Sequence, residues 1–193
     1  MTIETSRLLL RPWVEADAED LYQYAKNPAV GPVAGWPIHT SVENSREIIR
    51  TVLAEPETYA LVLKQTGRPV GSIGLFPHDK DQPLAAAPEV GYWIGVPWWG
   101  RGLVPEAVEA LLRRCFADLG SEAVWCAYFD GNHKSRRVQE KCGFVYHHTD
   151  PAYFCVQLNE TRISHVSCLT REQWLARQTE EGATDPWNKN ATD

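Results

Sequence analysis

No uninterrupted apolar run long enough to cross a bilayer occurs in the 193 residues, and Met1-Thr2-Ile3-Glu4 lacks the basic region and apolar block of an export signal. A soluble, cytoplasmic protein with no membrane partner is expected. No C-x-x-C pair is present. The five cysteines, Cys115, Cys126, Cys142, Cys155 and Cys168, are odd in number and widely spread, which predicts buried free thiols. The six histidines are scattered as well, and the one adjacent pair, His147-His148, would point to opposite faces of a strand. No metal site is therefore expected. Positive charge is also short: 19 Lys and Arg against 25 Asp and Glu leave a net charge of -6. That balance argues against nucleic acid and favours a basic or amine-bearing partner.

What is there fits one domain of ordinary size, placed at residues 1–178, followed by a disordered tail at 179–193. Residues 3–13 read as a first strand leaving at Pro12, and residues 17–26 as a short amphipathic helix carrying Ala18, Leu21, Tyr22 and Ala25. Residues 27–40 hold Pro28, Gly31, Pro32, Gly35 and Pro37, too many breakers for a regular element, together with Val30, Val33, Trp36 and Ile38. Such an apolar loop either packs over the core or lines a substrate pocket, and Trp36 is its best substrate contact. A helix over residues 41–54 and a hairpin of strands at 58–64 and 69–76 follow, with residues 78–88 as a surface connection.

In Glu89-Val90-Gly91-Tyr92-Trp93-Ile94, alternation places Val90, Tyr92 and Ile94 on one face of a strand and Glu89 and Trp93 on the other. Pro97 cannot donate to a ladder, so the chain is expected to leave its neighbour there and open a gap for a ligand. Trp98-Trp99-Gly100-Arg101-Gly102-Leu103-Val104 then leads into a helix whose apolar stripe runs from Val104 to Leu119. Two glycines one residue apart let the backbone turn tightly and bring N–H groups to an anion at the positive end of a helix dipole. A phosphorylated cofactor follows. The spacing is neither that of a P-loop nor that of a dinucleotide fold. Arg101 adds charge to the cradle or is a plain surface arginine in a turn.

Downstream, a strand at 123–129, a turn at Asp130-Gly131-Asn132 and a short helix at 133–142 continue the alternation, with Gly143 ending the helix. Lys134, Arg136 and Arg137 crowd the start of that helix against the dipole, so they are either solvated or near an anion. A strand at 144–148 is followed after Asp150-Pro151 by a hairpin, with strands at 153–158 and 163–169 around Asn159-Glu160-Thr161. Thr170-Arg171-Glu172-Gln173-Trp174 opens a final helix.

Gly100-Arg101-Gly102 entering a helix, and Asn132-x-x-Ser135 with Glu140-Lys141-Cys142-Gly143-Phe144, resemble the GNAT (Gcn5-related N-acetyltransferase) family. The family motifs concerned are [Q/R]-x-x-G-x-[G/A] and N-x-x-S-x-x-x-x-E-K-x-G-F, the second typical of the branch with the ribosomal-protein N-terminal (Rim-type) acetyltransferases. Arg7-Leu8-Leu9-Leu10-Arg11-Pro12 and Thr170-Arg171-Glu172-Gln173-Trp174 resemble that branch's opening and closing strings, so the likeness runs from Ile3 to Trp174. Pro97 stands where the first motif has Gln or Arg, and Val104 where a smaller residue is common. The resemblance implies an α/β (α+β) fold with a mixed, mostly antiparallel central sheet, splayed at an acyl-CoA site and flanked by helices. It implies acetyl transfer from acetyl-CoA to a primary amine by direct attack, with no metal. The backbone of Ile94, Gly95 and Val96 would pair with the pantetheine arm, and the N–H groups of Gly100, Arg101, Gly102, Leu103 and Val104 would hold the pyrophosphate. Asn132 would bind the pantetheine and Ser135 would lie near the thioester sulfur. Both residues also suit plain helix capping, Asn132 as the cap and Ser135 at its third position.

Direct attack needs deprotonation of the ammonium, polarisation of the carbonyl and protonation of the departing thiolate. Glu89 is the candidate base, with an ordinary strand-end carboxylate as the alternative, and a backbone N–H near Ile94 is the candidate for polarising the carbonyl. Gln139 occupies the place where many family members carry an acidic tyrosine, which leaves Ser135 as the candidate acid. At pH 7 an α-amine is about a tenth neutral and a lysine amine only about 0.04%. A protein N-terminus or a small-molecule amine is therefore the expected acceptor. The alternative is an acyl-CoA-binding sensor with little turnover. Monomer and homodimer are equally compatible with the sequence.

Overall fold

The computed structural model describes residues 1–78 and 86–184, with side chains as far as residue 179. Its elements are β1 (Ile3–Glu4), β2 (Leu8–Arg11), α1 (Ala18–Ala25), α2 (Gly31–Ala34), α3 (Val42–Thr51), β3 (Thr58–Leu63) and β4 (Pro69–Pro77). They continue with β5 (Pro88–Ile94), α4 (Leu103–Arg113), β6 (Ala123–Phe129), α5 (His133–Lys141), β7 (Val145–Cys155), β8 (Glu160–Thr170) and α6 (Arg171–Thr184). The expected surface connection at 78–88 falls largely on residues 79–85, outside the described residues. Among the described residues no helix is long and apolar enough to cross a membrane.

One eight-stranded sheet runs in the order β1-β2-β3-β4-β5-β6-β8-β7, antiparallel everywhere except between β5 and β6. That parallel contact consists of a single bridged pair, Glu89 with Trp125. On its other side β5 is in register with β4 from Gly71↔Ile94 to Pro77↔Pro88, and β6 with β8 from Ala123↔Thr170 to Phe129↔Ser164. Each strand follows the twist of its own antiparallel partner, so the two half-sheets diverge after one shared pair. The expected gap is present but begins at Glu89, not at Pro97. Pro97 sits in a short 3-10 turn, Val96–Trp98, after β5 has ended.

The sheet is covered on both faces. Against one face, Leu103, Val104, Ala107, Val108, Leu111 and Leu112 of α4 are all buried, packing with Val90 and Ile94 of β5. The stripe continues through Cys115 and Phe116 in a wide helical turn at Arg114–Asp118, where Phe116 stacks on Trp174 of α6 at 5.2 Å. Against the other face, Ala18, Leu21 and Ala25 of α1 and Ile49 of α3 pack on Trp13, Ala60 and Val62, with Trp93 joining from β5. The cysteines are free, and Cys168 alone is not fully buried. Burial pushes the Cys115 and Cys142 thiols up to about 12.

Local signals place the helix starts. Ser41 Oγ accepts the Asn44 N–H at 3.0 Å to begin α3. Thr170 and Gln173 exchange reciprocal bonds of 2.9 and 3.2 Å to begin α6.

Five further expectations are corrected. Residues 27–40 are not wholly irregular: α2 forms there because Pro32 lies in its first turn, where no N–H is needed. Residues 145–155 form one continuous strand through Pro151, since β7 is the edge of the sheet and the register shifts between Asp150 and Tyr153 absorb the proline in a bulge. The turn of the last hairpin correspondingly precedes Glu160, which already belongs to β8. A second register shift, between Tyr146 and His148, cancels the alternation of His147 and His148, whose Nδ1 atoms lie 2.9 Å apart. Finally, α6 continues to Thr184, into the segment read as a disordered tail, while residues 185–193 lie outside the described residues.

Phe116 is fully buried and joins α4, the sheet and α6. Phe116→Ala is expected to cost about 3–5 kcal/mol of unfolding free energy, measured by urea denaturation.

Candidate active site

The glycine loop is built as a carbonyl clasp. Gly100 and Gly102 have φ of +73° and +72°, a left-handed backbone that only glycine adopts without strain. Arg7, just ahead of β2, donates from Nη1 to the Arg101 carbonyl at 2.8 Å and from Nη2 to the Gly102 carbonyl at 3.1 Å. Its Nε donates to Glu106 at 2.6 Å, and Glu106 also accepts from the Arg7 N–H at 2.7 Å and the Thr5 hydroxyl at 2.6 Å. Burial alone would raise the Glu106 carboxyl, but these hydrogen bonds outweigh it and hold the group below the usual carboxylate range.

With the carbonyls drawn to Arg7, the N–H groups of Leu103 and Val104 at the start of α4 have no acceptor among the described residues. Pro105 brings no N–H, and Gly102 supplies no side-chain cap. The side chains of Leu103 and Val104 are in the core, so these residues present backbone alone to an anion. Cations flank the loop on aromatic rings: Arg101 lies 4.8 Å over Trp98, and Lys134 Nζ lies 3.8 Å over Trp99. Arg136 is instead paired with Glu140 one turn on, at 2.8 Å. The sequence reading missed Arg7 as a site residue, although the string containing it was visible.

Between the loop and the gap lie Ile94, Gly95 and Val96. Past Glu89, the edge of β5 that faces β6 has no strand partner among the described residues. The Ile94 carbonyl accepts the Trp99 indole N–H at 2.9 Å, and the Trp98 indole donates to the Tyr24 hydroxyl at 3.2 Å. The Gly95 N–H is held by the Val70 carbonyl at 2.9 Å. A side chain at Gly95 would place Cβ 2.4 Å from the Tyr24 ring, so this glycine lets α1 close on the end of β5.

On the α5 side of the gap, Asn132 Oδ1 accepts the Ser135 N–H at 3.2 Å, the capping bond anticipated for this pair. Ser135 Oγ lies 3.0 Å from the Tyr92 hydroxyl and 3.5 Å from Gln139 Nε2. Burial pushes the Tyr92 phenol well above its ordinary range. Gln139 is 2% exposed and its Oε1 has no partner among the described residues. Tyr92 was missed as a site residue. The alternation of β5 was its signal, since that pattern already turned Tyr92 away from Glu89.

Glu89 opens on the opposite face. Its Oε2 lies 3.0 Å from His78 Nδ1, and the His78 ring stacks 4.5 Å from Trp125, the residue bridged to Glu89. Burial and then the Glu89 charge raise the Tyr153 phenol on β7. Trp36 follows α2 on this face, 5.6 Å edge-on from Trp93 and 5.3 Å from His39. The Cys155 thiol donates to the Gly35 carbonyl at 3.2 Å and so ties that loop to β7. The structure thus brings Gly100 to Val104 to the start of α4, and sets Glu89 and Ser135 on opposite faces of one splayed pair.

A half-open parallel pair beside a helix start whose first amides have no acceptor among the described residues leaves backbone groups free for a ligand. A family model described as an acetyltransferase (GNAT) domain matches residues 7–145, and the chain belongs to that family. It is 28% identical over 147 residues, covering 74% of this chain and 81% of the relative, to an uncharacterized N-acetyltransferase, YoaA, of Bacillus subtilis (strain 168). An acetyltransferase (GNAT family) from Bacillus anthracis superposes with a TM-score of 0.78 at 20% identity, covering 89% of this chain and 99% of the other. The ribosomal-protein-S5-alanine acetyltransferase from Vibrio fischeri does so with a TM-score of 0.70 at 18% identity, covering 90% and 98%. At these identities the structural likeness is one of fold. The protein is a GNAT N-acetyltransferase, and the acyl donor of this family is acetyl-CoA.

The folded-state pKa of Glu106 is depressed, so the stability it contributes is present above the unfolded value near 4.3 and is lost as pH falls through the folded one. Glu106→Gln is expected to cost about 1 kcal/mol at neutral pH, because Arg7 is half exposed. Below about pH 4 the melting temperatures of wild type and variant should progressively converge in a thermal scan.

Proposed function

We propose that this chain transfers the acetyl group of acetyl-CoA to a protein N-terminal α-amine or a small-molecule amine, by direct attack within the gap between β5 and β6. The observation that carries this reading is the placement of a carboxylate, Glu89, and a hydroxyl, Ser135, on opposite faces of that gap. The residues present suit the donor. The unpartnered amides of Leu103 and Val104, with Gly100, Arg101 and Gly102, suit a pyrophosphate, and Lys134 stands nearby. The unpaired edge of β5 about Ile94, Gly95 and Val96, together with Asn132, suits the amide-bearing pantetheine arm. Acetyl-CoA supplies an activated acyl group on a good leaving thiolate.

The protein supplies orientation and proton handling. Glu89 takes the proton of the incoming ammonium, directly or through a water, with His78 hydrogen-bonded behind it. A backbone N–H near Ile94 polarises the carbonyl, and Ser135 hydrogen-bonds the departing sulfur. Because Gln139 replaces the acidic tyrosine of other family members, Ser135 carries that role alone. Trp36 and its loop contact the acceptor on the Glu89 face. An α-amine has a lower pKa than a lysine and asks less of a single carboxylate. Free, mostly buried cysteines support a cytoplasmic setting, and no nucleic-acid or membrane partner is invoked.

A thiol-release assay over N-terminal peptides, amino acids, polyamines and aminoglycosides tests the proposal. Glu89→Gln is expected to lower kcat about 100-fold or more. Ser135→Ala is expected to lower kcat about tenfold with little change in the Kd for acetyl-CoA by calorimetry. Equal losses would make Ser135 a binding residue only. Preference for internal lysines in N-terminally blocked peptides would overturn the α-amine reading, and tight acetyl-CoA binding without thiol release across the panel would leave a sensor.

A further inference from the structure

Two side chains that the reaction outlined above does not use converge on Ser135. Tyr92 projects from β5 on the face away from Glu89, and its hydroxyl lies 3.0 Å from Ser135 Oγ and 3.3 Å from the Ser135 carbonyl. Gln139, one turn along α5, brings Nε2 to 3.5 Å from the same Oγ. A serine hydroxyl carries one proton and two lone pairs. The Tyr92 phenol keeps its proton because burial disfavours the phenolate, and the Gln139 amide always carries N–H. Either hydroxyl can be the donor across the 3.0 Å contact, and the Tyr92 proton also has the Ser135 carbonyl within 3.3 Å. When Tyr92 and Gln139 both donate to Oγ, the Ser135 proton is left with the remaining direction, and Ser135 is only half-buried.

We propose that Tyr92 is a positioning residue for acetyl transfer, holding Ser135 in the rotamer and hydrogen-bond sense in which it donates into the gap between β5 and β6. The inference rests on the reading of Ser135 as the donor to the departing sulfur and names what keeps it in that state. A serine in the first turn of a helix otherwise turns its hydroxyl back to the carbonyl three or four residues earlier, where its proton is spent on the backbone. Tyr92 and Gln139 occupy the lone pairs and oppose that rotation. No proton leaves Tyr92 at any stage, so no buried phenolate is formed. Gln139 thus stands where related enzymes carry an acid and here helps to orient one.

The test compares Tyr92→Phe, Gln139→Leu, Ser135→Ala and the Tyr92→Phe/Ser135→Ala double variant. The readouts are kcat in the thiol-release assay with the best amine, acetyl-CoA Kd by calorimetry, and melting temperature. Tyr92→Phe is expected to lower kcat about tenfold with Kd and melting temperature close to wild type, and Gln139→Leu to lower kcat in the same direction. The double variant should be no slower than Ser135→Ala alone, since Tyr92 acts only through that hydroxyl. A purely structural staple between β5 and α5 would instead lower the melting temperature, raise Kd and leave kcat intact, which overturns the proposal. Multiplying losses in the double variant, or wild-type kcat in both Tyr92→Phe and Gln139→Leu, overturn it as well. Wild-type kcat in Ser135→Ala would strike the Ser135 reading itself, which separates that failure from failure of the Tyr92 proposal alone.

Discussion

The single bridged pair between Glu89 and Trp125 is the constraint on which the rest of the molecule depends. It exists because β5 and β6 are each committed along their length to another partner, β4 and β8. Antiparallel ladders with a fixed right-handed twist cannot stay in register with each other across a parallel seam that is only one residue long. One sheet therefore opens in its middle without losing its edges. Backbone groups that would cost free energy if buried unpaired are left accessible at the place where a ligand can satisfy them.

Around that opening, the neighbouring segments are fixed before any ligand arrives. Arg7 holds the Arg101 and Gly102 carbonyls, and Glu106 holds Arg7. The two indoles of Trp98 and Trp99 are pinned to Tyr24 and to the Ile94 carbonyl. None of these bonds uses the amides of Leu103 and Val104. Ordering the loop in the folded protein lowers the entropy lost on binding, the usual advantage of a preorganised site.

The two faces of the gap differ in chemistry. On the Glu89 face the surroundings are a carboxylate, His78 and aromatic rings, with the α2 loop tied down by Cys155. On the other, Tyr92, Ser135 and Gln139 form a hydroxyl and amide cluster with its charge-bearing groups kept neutral. β5, alternating from Glu89 to Tyr92, contributes a side chain to each face with one strand. This is how a short stretch of backbone comes to hold so much of the candidate site.

The sequence by itself determined the local elements. The apolar stripe of α4, the alternation of β5, the glycines at positive φ and the caps at Asn132 and Thr170 are each fixed by contacts within a few residues, and all were legible there. It also determined the motif that places the chain in its family. What tertiary structure alone decided is everything that depends on pairing across long separations. The gap opens at Glu89 because of what β4 and β8 do, which Pro97 could not reveal. Bulges set by pairing with β8 brought His147 beside His148 and carried Pro151 within an edge strand. Arg7 reaches the glycine loop across 94 residues and Tyr92 reaches Ser135 across 43, distances over which spacing in the chain carries no geometric information. Local propensities are read residue by residue, whereas register and side-chain convergence are settled only when distant strands choose their neighbours.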